Sequence, residues 1–245
     1  HVLIVISGDI AYSGGKKQYT AAKGFVEKLT ECLKERRPGL ESFHVLCVPG
    51  NHDLDHSVGA LSSKMLQDIR KVASYEKHKD SEFGKLENFM EFANSYCCFI
   101  NDMLHSQILL PFDDYKIEVN LINSAIFSTL EEDKGLHYLP PHCIDTLSTP
   151  TGADLVIAVM HHSPDWYNDE QKNVIEAVLH EKCSIVFYGH EHHITCKTIE
   201  NEDSDPILVQ AGGMLSNCGD WSQSSFYAGV LDTSTSKYNR VKLNW

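Results

Sequence analysis

Four short polar clusters each follow an apolar, strand-like segment of the 245-residue chain. They combine glycines with Asp, Asn and His side chains. The clusters are Gly8-Asp9, Gly50-Asn51-His52-Asp53, His161-His162 and Gly189-His190-Glu191-His192. Oxygen and imidazole donors together suit Mn²⁺, Fe or Zn²⁺, and the absence of Cys from the clusters argues against a structural zinc site. The residue types therefore point to metal chemistry at strand ends.

The segments before the first two clusters must position them. Residues 2–6 and 43–48 are short apolar runs, which predict buried strands. Between them, apolar residues spaced three and four apart from Tyr19 to Leu33 predict a helix that stops near Pro38-Gly39. This β-α-β unit predicts two parallel strands with a right-handed crossover.

Strand character returns later in the chain. Apolar runs at 117–122, 155–159 and 185–188 predict three strands, with a helix at about 169–182 between the last two. Four further short strands are predicted at 194–199, 207–210, 226–231 and 238–243. The carboxyl ends of neighbouring parallel strands meet at one crevice, so the four polar clusters are expected to converge there.

The order of elements predicts an α/β fold with two packed mixed β-sheets flanked by helices, a four-layer α-β-β-α sandwich. The early parallel half and the late hairpin half are each expected to supply a sheet. Residues 54–110 differ, because apolar residues recur at steps of three and four from Phe83 to Leu104 and predict a helical insert or cap. We expect one domain over 1–245, since 42% hydrophobic composition at this length can bury one large core.

In type and order the four clusters resemble the successive signature blocks of the calcineurin-like metallophosphoesterase family. The blocks are Gly8-Asp9-Ile10-Ala11-Tyr12-Ser13-Gly14, Gly50-Asn51-His52-Asp53, His161-His162-Ser163-Pro164 and Gly189-His190-Glu191-His192. The resemblance extends from Gly8 to His192. It implies an enzyme that hydrolyses phosphoric esters with two divalent metal ions, Mn²⁺ first and Fe or Zn²⁺ as alternatives.

The resemblance also implies the metal ligands. Asp9 would bridge the two ions, and His192 would bind the first ion. Asn51, His161 and His190 would complete the second site. Two such ions activate a bridging water as hydroxide and clamp the phosphoryl oxygens for in-line attack.

Two residues next to Asn51 would act in catalysis by the same resemblance. His52 would sit over the scissile group, where it protonates the leaving oxygen or stabilises its charge. Asp53 would orient His52 through a hydrogen bond.

One block of the family pattern has no counterpart in the sequence. The opening Asp-x-His block, which supplies two ligands of the first metal, belongs upstream of Gly8-Asp9, and the chain starts at His1. We expect the block in a preceding segment of a longer protein. The alternative is a protein without the first metal site, which would bind a nucleotide or partner without turnover.

The substrate is predicted from weaker signals. The first two blocks look most similar to the branch that acts on phosphodiesters of nucleotides, and a net charge of −13 disfavours broad binding to DNA. The alternative is a nuclease of the same family with a basic face on the inserted helix. That face would comprise Lys64, Arg70, Lys71, Lys77 and Lys79, although such a run also suits a solvated helix surface.

The remaining polar residues suggest ordinary roles. Eight cysteines occur without a CxxC pair, and the sequence has no glycosylation sequon and no apolar run of membrane-spanning length. A cytoplasmic protein is therefore expected, and further domains in the chain and an oligomer remain open. Glu131-Glu132-Asp133 is interpreted as a solvated turn and His137 as a packing residue, whereas the role of His162 is ambiguous.

Overall fold

The computed structural model describes residues 1–58, 72–100, 102–112, 114–130, 132, 134–135, 137–192, 195–201, 204–215, 224–235 and 237–244. The chain begins with strand β1 (Val2–Ile6), helix α1 (Lys16–Arg36) and strand β2 (Phe43–Cys47). The two strands pair in parallel from Val2 opposite Phe43 to Ile6 opposite Cys47. The predicted parallel β-α-β unit is therefore confirmed.

A six-stranded mixed sheet forms the centre of the described structure. Its strands are β3 (His105–Phe112), β4 (Tyr115–Ile122), β5 (Leu155–Met160), β6 (Ile185–Tyr188), β7 (Thr195–Asn201) and β8 (Ser204–Ala211), in the order β3-β4-β5-β6-β8-β7. The inner strands β4, β5, β6 and β8 are parallel, and β3 and β7 pair antiparallel at the two edges. Inner parallel strands are covered on both faces, which accounts for their near-continuous apolar sequences.

The last two strands, β9 (Ser225–Asp232) and β10 (Lys237–Asn244), form an antiparallel pair. The Tyr238 hydroxyl of β10 donates to Oε1 of Gln210 on β8 at 3.4 Å, which links this pair to the large sheet. The α/β class with more than one sheet is confirmed. The predicted assignment of the early strands to one sheet and the late strands to another was wrong. Strands β7 and β8 join the sheet of β5 and β6, whereas β1 and β2 pair apart from it.

Four more helices are described: α2 (Val72–Lys85), α3 (Glu87–Asn94), α4 (Pro141–Leu147) and α5 (Asp169–Lys182). The bounds of α5 match the prediction, and the side chain of Asn168 caps it by accepting a hydrogen bond from Gln171 N at 2.9 Å. None of the described helices is both long and apolar enough to cross a membrane.

The segment 54–110 is helical only in part. Helices α2 and α3 account for residues 72–94, but Cys97 adopts a left-handed backbone with φ 62°, and β3 begins at His105. The helical prediction for 105–110 was therefore wrong, because pairing with β4 determines the conformation there. Residues 59–71 of the predicted insert lie outside the described residues.

Candidate metal centre and active site

Donor atoms of three predicted ligands converge on Nε2 of a fourth, His161. This nitrogen lies 3.2 Å from His190 Nδ1, 3.3 Å from Asn51 Oδ1 and 3.5 Å from Asp9 Oδ1. Ligands held about 2.1 Å from a tetrahedral metal ion lie about 3.4 Å from one another. Each of the three distances from His161 Nε2 is close to this value, and oxygen and imidazole donors suit a divalent metal ion. Among the described residues, His161 and His190 also form, with His162, a group whose ligand atoms all lie within 4.8 Å of one another, and Asp9 is not part of such a group.

Each of these residues follows the end of a strand. Asp9 and Asn51 come after β1 and β2, and His161 and His190 come after β5 and β6. Asp9 and His190 adopt left-handed backbones with φ 54° and 57°. A residue with a Cβ pays about 1–2 kcal/mol for this conformation, so the surrounding structure must hold both turns in place.

Two glycines allow the strand ends to close around the His161 imidazole. A Cβ at Gly8 would lie 2.2 Å from Nδ1 of His161, and a Cβ at Gly189 would lie 2.7 Å from the same atom. Neither distance is physically possible without movement. Glycine before Asp9 and before His190 is therefore a requirement of the close approach around His161.

The protonation of His161 suits a ligand. Its Nδ1 lies 2.7 Å from the carbonyl oxygen of Ser7, which can only accept, so Nδ1 carries the hydrogen and Nε2 presents its lone pair to the cluster. Burial lowers the pKa of His161. Burial also lowers the pKa of His190, and the charge of the nearby His161 adds to this effect, so that the pKa is about 4. Both imidazoles are thus neutral at neutral pH, the form that binds metal.

The fifth predicted ligand lies apart from this group. His192 is exposed and has a left-handed backbone with φ 54°. It is not one of the donors gathered at His161 Nε2, although its charge acts to lower the pKa of His161. The structure therefore brings Asp9, Asn51, His161 and His190 together and leaves His192 at the rim.

His52 is positioned by the loop that follows β1. Its backbone N–H donates to Asp9 Oδ1 at 3.1 Å, and its Nδ1 donates to the carbonyl oxygen of Tyr12 at 3.0 Å. The ring stacks on the Tyr12 ring with a centroid distance of 5.4 Å and an interplanar angle of 17°. This arrangement uses Nδ1 and leaves Nε2 of His52 as the atom available to a substrate.

The prediction that Asp53 orients His52 was wrong, since the Tyr12 carbonyl fills that position. Asp53 is fully buried, and its carboxylate accepts hydrogen bonds from the backbone N–H groups of Ile10, Ala11 and Gly50. The Tyr19 hydroxyl donates to the same carboxylate at 2.8 Å. Asp53 therefore ties the loop after β1 to the loop after β2, and its contribution to the site is structural.

The sequence interpretation missed a second buried cluster beside the first. Glu132 has a side chain only 4% exposed, and its Oε2 lies 2.9 Å from Nε2 of His162. Its Oε1 lies 3.3 Å from Nε2 of His137, which is buried as well. The prediction that Glu132 lies in a solvated turn was wrong. No local spacing signals this cluster, because its members meet only when the loop after β4 folds over the loop after β5.

Other predicted residues fall outside the described part of the chain. These are Glu131, Asp133 and, from the predicted basic face, Lys64, Arg70 and Lys71.

Comparison with protein families agrees with this geometry. Residues 1–193, well over half of the chain, match the family model of calcineurin-like phosphoesterases. No curated protein matches the chain. The match spans all four strand-end clusters. The chain therefore belongs to the calcineurin-like phosphoesterase family, whose members are metal-dependent enzymes that hydrolyse phosphate esters.

Proposed function

We propose that the protein is a phosphodiesterase that acts on a nucleotide with two divalent ions, manganese in the first instance. The observation that carries this proposal is the convergence of Asp9, Asn51 and His190 on His161 Nε2, with His52 hydrogen-bonded to Asp9. Asp9, Asn51, His161 and His190 would hold one ion, and Asp9 with His192 would contribute to the other. When bound, the ions activate water as the nucleophile and neutralise the phosphoryl oxygens.

His52 has the geometry of a general acid in this proposal. Its Nδ1–H is committed to the Tyr12 carbonyl, so proton transfer to the leaving oxygen takes place at Nε2. The bond from its backbone N–H to Asp9 Oδ1 ties the position of this acid to the metal ligand.

The exposed ring of Tyr12 favours an aromatic group in the substrate. The side chain is 71% exposed although it lies beside His52, and only one ring face is covered by the imidazole. A nucleobase stacked on such a ring gains about 1–3 kcal/mol. Tyr12 would thus select nucleotides among phosphodiesters.

A cytoplasmic location belongs to the same proposal. The described cysteines are free thiols, including the buried pair Cys47 and Cys98 with sulfurs 3.6 Å apart. Unpaired thiols at such a distance fit a reducing compartment.

The proposal is tested first by manganese-dependent hydrolysis of bis-p-nitrophenyl phosphate. The wild-type protein should turn over, and Asp9→Ala and His161→Ala should remain folded and inactive. A folded wild type that is inactive with every divalent metal would refute the enzyme proposal and support a binding module.

The nucleotide substrate is tested with Tyr12 variants. Tyr12→Leu should raise KM for a cyclic nucleotide about 10-fold, the equivalent of about 1.4 kcal/mol. It should leave KM unchanged for glycerophosphocholine, a phosphodiester without an aromatic group, and Tyr12→Phe should behave as wild type. Equal effects on both substrates would contradict base stacking. Activity on DNA that falls steeply with salt would instead support the nuclease alternative.

A further inference from the structure

The carboxylate of Glu132 is enclosed by three imidazoles. Oε2 lies 2.9 Å from His162 Nε2 and 3.6 Å from His190 Nε2, and Oε1 lies 3.3 Å from His137 Nε2. The Glu132 side chain is only 4% exposed. Glu132 therefore places a buried carboxylate beside the ligand cluster.

His190 connects this carboxylate to the metal centre. Its Nδ1 lies 3.2 Å from His161 Nε2 and faces the donor cluster, whereas its Nε2, on the other side of the ring, faces Glu132. A neutral imidazole carries one hydrogen, so the two nitrogens compete for it. A hydrogen on Nδ1 would be donated to the lone pair of His161 Nε2, and both ligand atoms would then be lost to a hydrogen bond.

Ser124 determines which ring nitrogen of His162 carries the hydrogen. The Ser124 hydroxyl oxygen accepts from the backbone N–H groups of His161 and His162, and it lies 3.2 Å from His162 Nδ1. With two acceptor positions filled, the hydroxyl donates its hydrogen to His162 Nδ1. Nε2 of His162 therefore carries the ring hydrogen and donates it to Glu132 Oε2. This hydrogen also argues against a further metal ion bound by Glu132, His137 and His162.

We propose that Glu132 is a positioning residue of the metal centre, which holds the hydrogen of His190 on Nε2 and keeps Nδ1 free as a ligand. The inference rests on the proposed use of His190 as a ligand. At 3.6 Å the contact between Glu132 Oε2 and His190 Nε2 is longer than a hydrogen bond, so the carboxylate acts on the His190 hydrogen through its charge. A carboxylate next to the distal nitrogen of a metal-binding histidine raises the basicity of the ring and determines its orientation. In this protein the carboxylate comes from the loop after β4, outside the four signature blocks.

The first test is calorimetric titration of the metal-free protein with Mn²⁺ and Zn²⁺. Glu132→Gln, which preserves shape and removes charge, should weaken metal binding about 10- to 100-fold. The matched control is Glu191→Gln. That residue is adjacent to His190 in sequence, but its carboxylate pairs with Lys134 at 3.4 Å and is 41% exposed, so its removal should leave metal affinity unchanged. Equal losses in the two variants would overturn the proposal.

The second test starts from the wild-type protein, so its first result does not depend on whether a variant folds. Ring ¹⁵N NMR of the metal-free wild type should show His190 with its hydrogen on Nε2, and Glu132→Gln should move the population toward Nδ1–H. A wild-type His190 that carries its hydrogen on Nδ1 would overturn the proposal. The calorimetric titration gives a further check with His137→Gln. If this variant binds one metal ion fewer than the wild type, Glu132, His137 and His162 themselves hold a metal, and the proposal is overturned. Neither measurement uses a substrate, so failure of the phosphodiesterase proposal would be seen separately.

Discussion

Gly50 packs directly against the carboxylate of Asp9. A Cβ at position 50 would lie 2.1 Å from Asp9 Oδ1 and 2.7 Å from Cε1 of His161. Both neighbours are predicted metal ligands, and the Asp9 backbone nitrogen, 2.5 Å away, blocks the same space. The smallest possible side chain at this position would therefore displace the ligand that is proposed to serve both ions.

Gly50→Ala should abolish metal-dependent hydrolysis and lower the free energy of unfolding by about 1–3 kcal/mol, the usual cost of overpacking. Gly24→Ala is the matched control, because a Cβ at that position on α1 meets nothing within 4 Å. It should raise the free energy of unfolding by about 0.5–1 kcal/mol through helix propensity and leave activity unchanged. Urea unfolding and the bis-p-nitrophenyl phosphate assay measure the two effects.

Asp53→Asn should destabilise the fold by about 3 kcal/mol, because an amide nitrogen would face buried N–H donors that now bond to a carboxylate. Asp55→Asn is the control, since its carboxylate accepts from Ser57 at an exposed turn. The control should change stability by no more than about 0.5 kcal/mol. Chemical unfolding checks both, and a stable Asp53→Asn protein with low kcat would restore the catalytic role.

His52→Gln should reduce kcat for a cyclic nucleotide about 10²- to 10⁴-fold, because an alkoxide leaving group needs a proton. The loss should be smaller for bis-p-nitrophenyl phosphate, since p-nitrophenolate leaves without one. Metal affinity, followed by calorimetry, should not change. An equal loss for both leaving groups would argue that His52 does not act as an acid.

A buried ion pair in α2 offers a test of the helical segment. Glu82 and Lys85 lie 2.8 Å apart with side chains 1% and 4% exposed. Glu82→Gln or Lys85→Met alone should each cost about 3–5 kcal/mol, because each leaves a buried charge without its partner. The double variant should be close to wild type in urea unfolding. Additive losses would contradict coupling between the two residues.

Removal of divalent metal should lower the melting temperature. An ion present at 100 times its Kd stabilises the folded state by about 2.7 kcal/mol, and a chelator removes this contribution. Asp9→Ala should abolish the response to Mn²⁺ in scanning calorimetry. Full stabilisation of Asp9→Ala by Mn²⁺ would place the metal elsewhere.

The convergence of the donors was predictable because each ligand follows an apolar strand. The predicted bounds of the strand at 185–188 and of the helix at 169–182 match the structure, because most of the apolar residues of both segments face the core. Asp9, Asn51, His161 and His190 were expected at one crevice on the same reasoning, and their donor atoms meet there.

Other features depend on contacts between segments that local sequence does not encode. Glu132 looks like part of a charged turn, yet it is buried because His137 and His162 close over it. Asp53 follows His52 in sequence, but the conformation of residues 51–53 turns its carboxylate toward Tyr19 and the backbone of the loop after β1. Strand β3 is stabilised by pairing with β4, and the step-three pattern up to Leu104 gave no sign of this.

The strand order also bears on how the protein is made. Asp9 and Asn51 follow the paired strands β1 and β2, whereas His161 and His190 follow strands of the six-stranded sheet. During synthesis the first two donors leave the ribosome long before the last. The proposed donor set is complete only when His190 has been synthesised and β6 has joined its sheet. Full metal affinity is therefore expected only after these two halves of the donor set have come together.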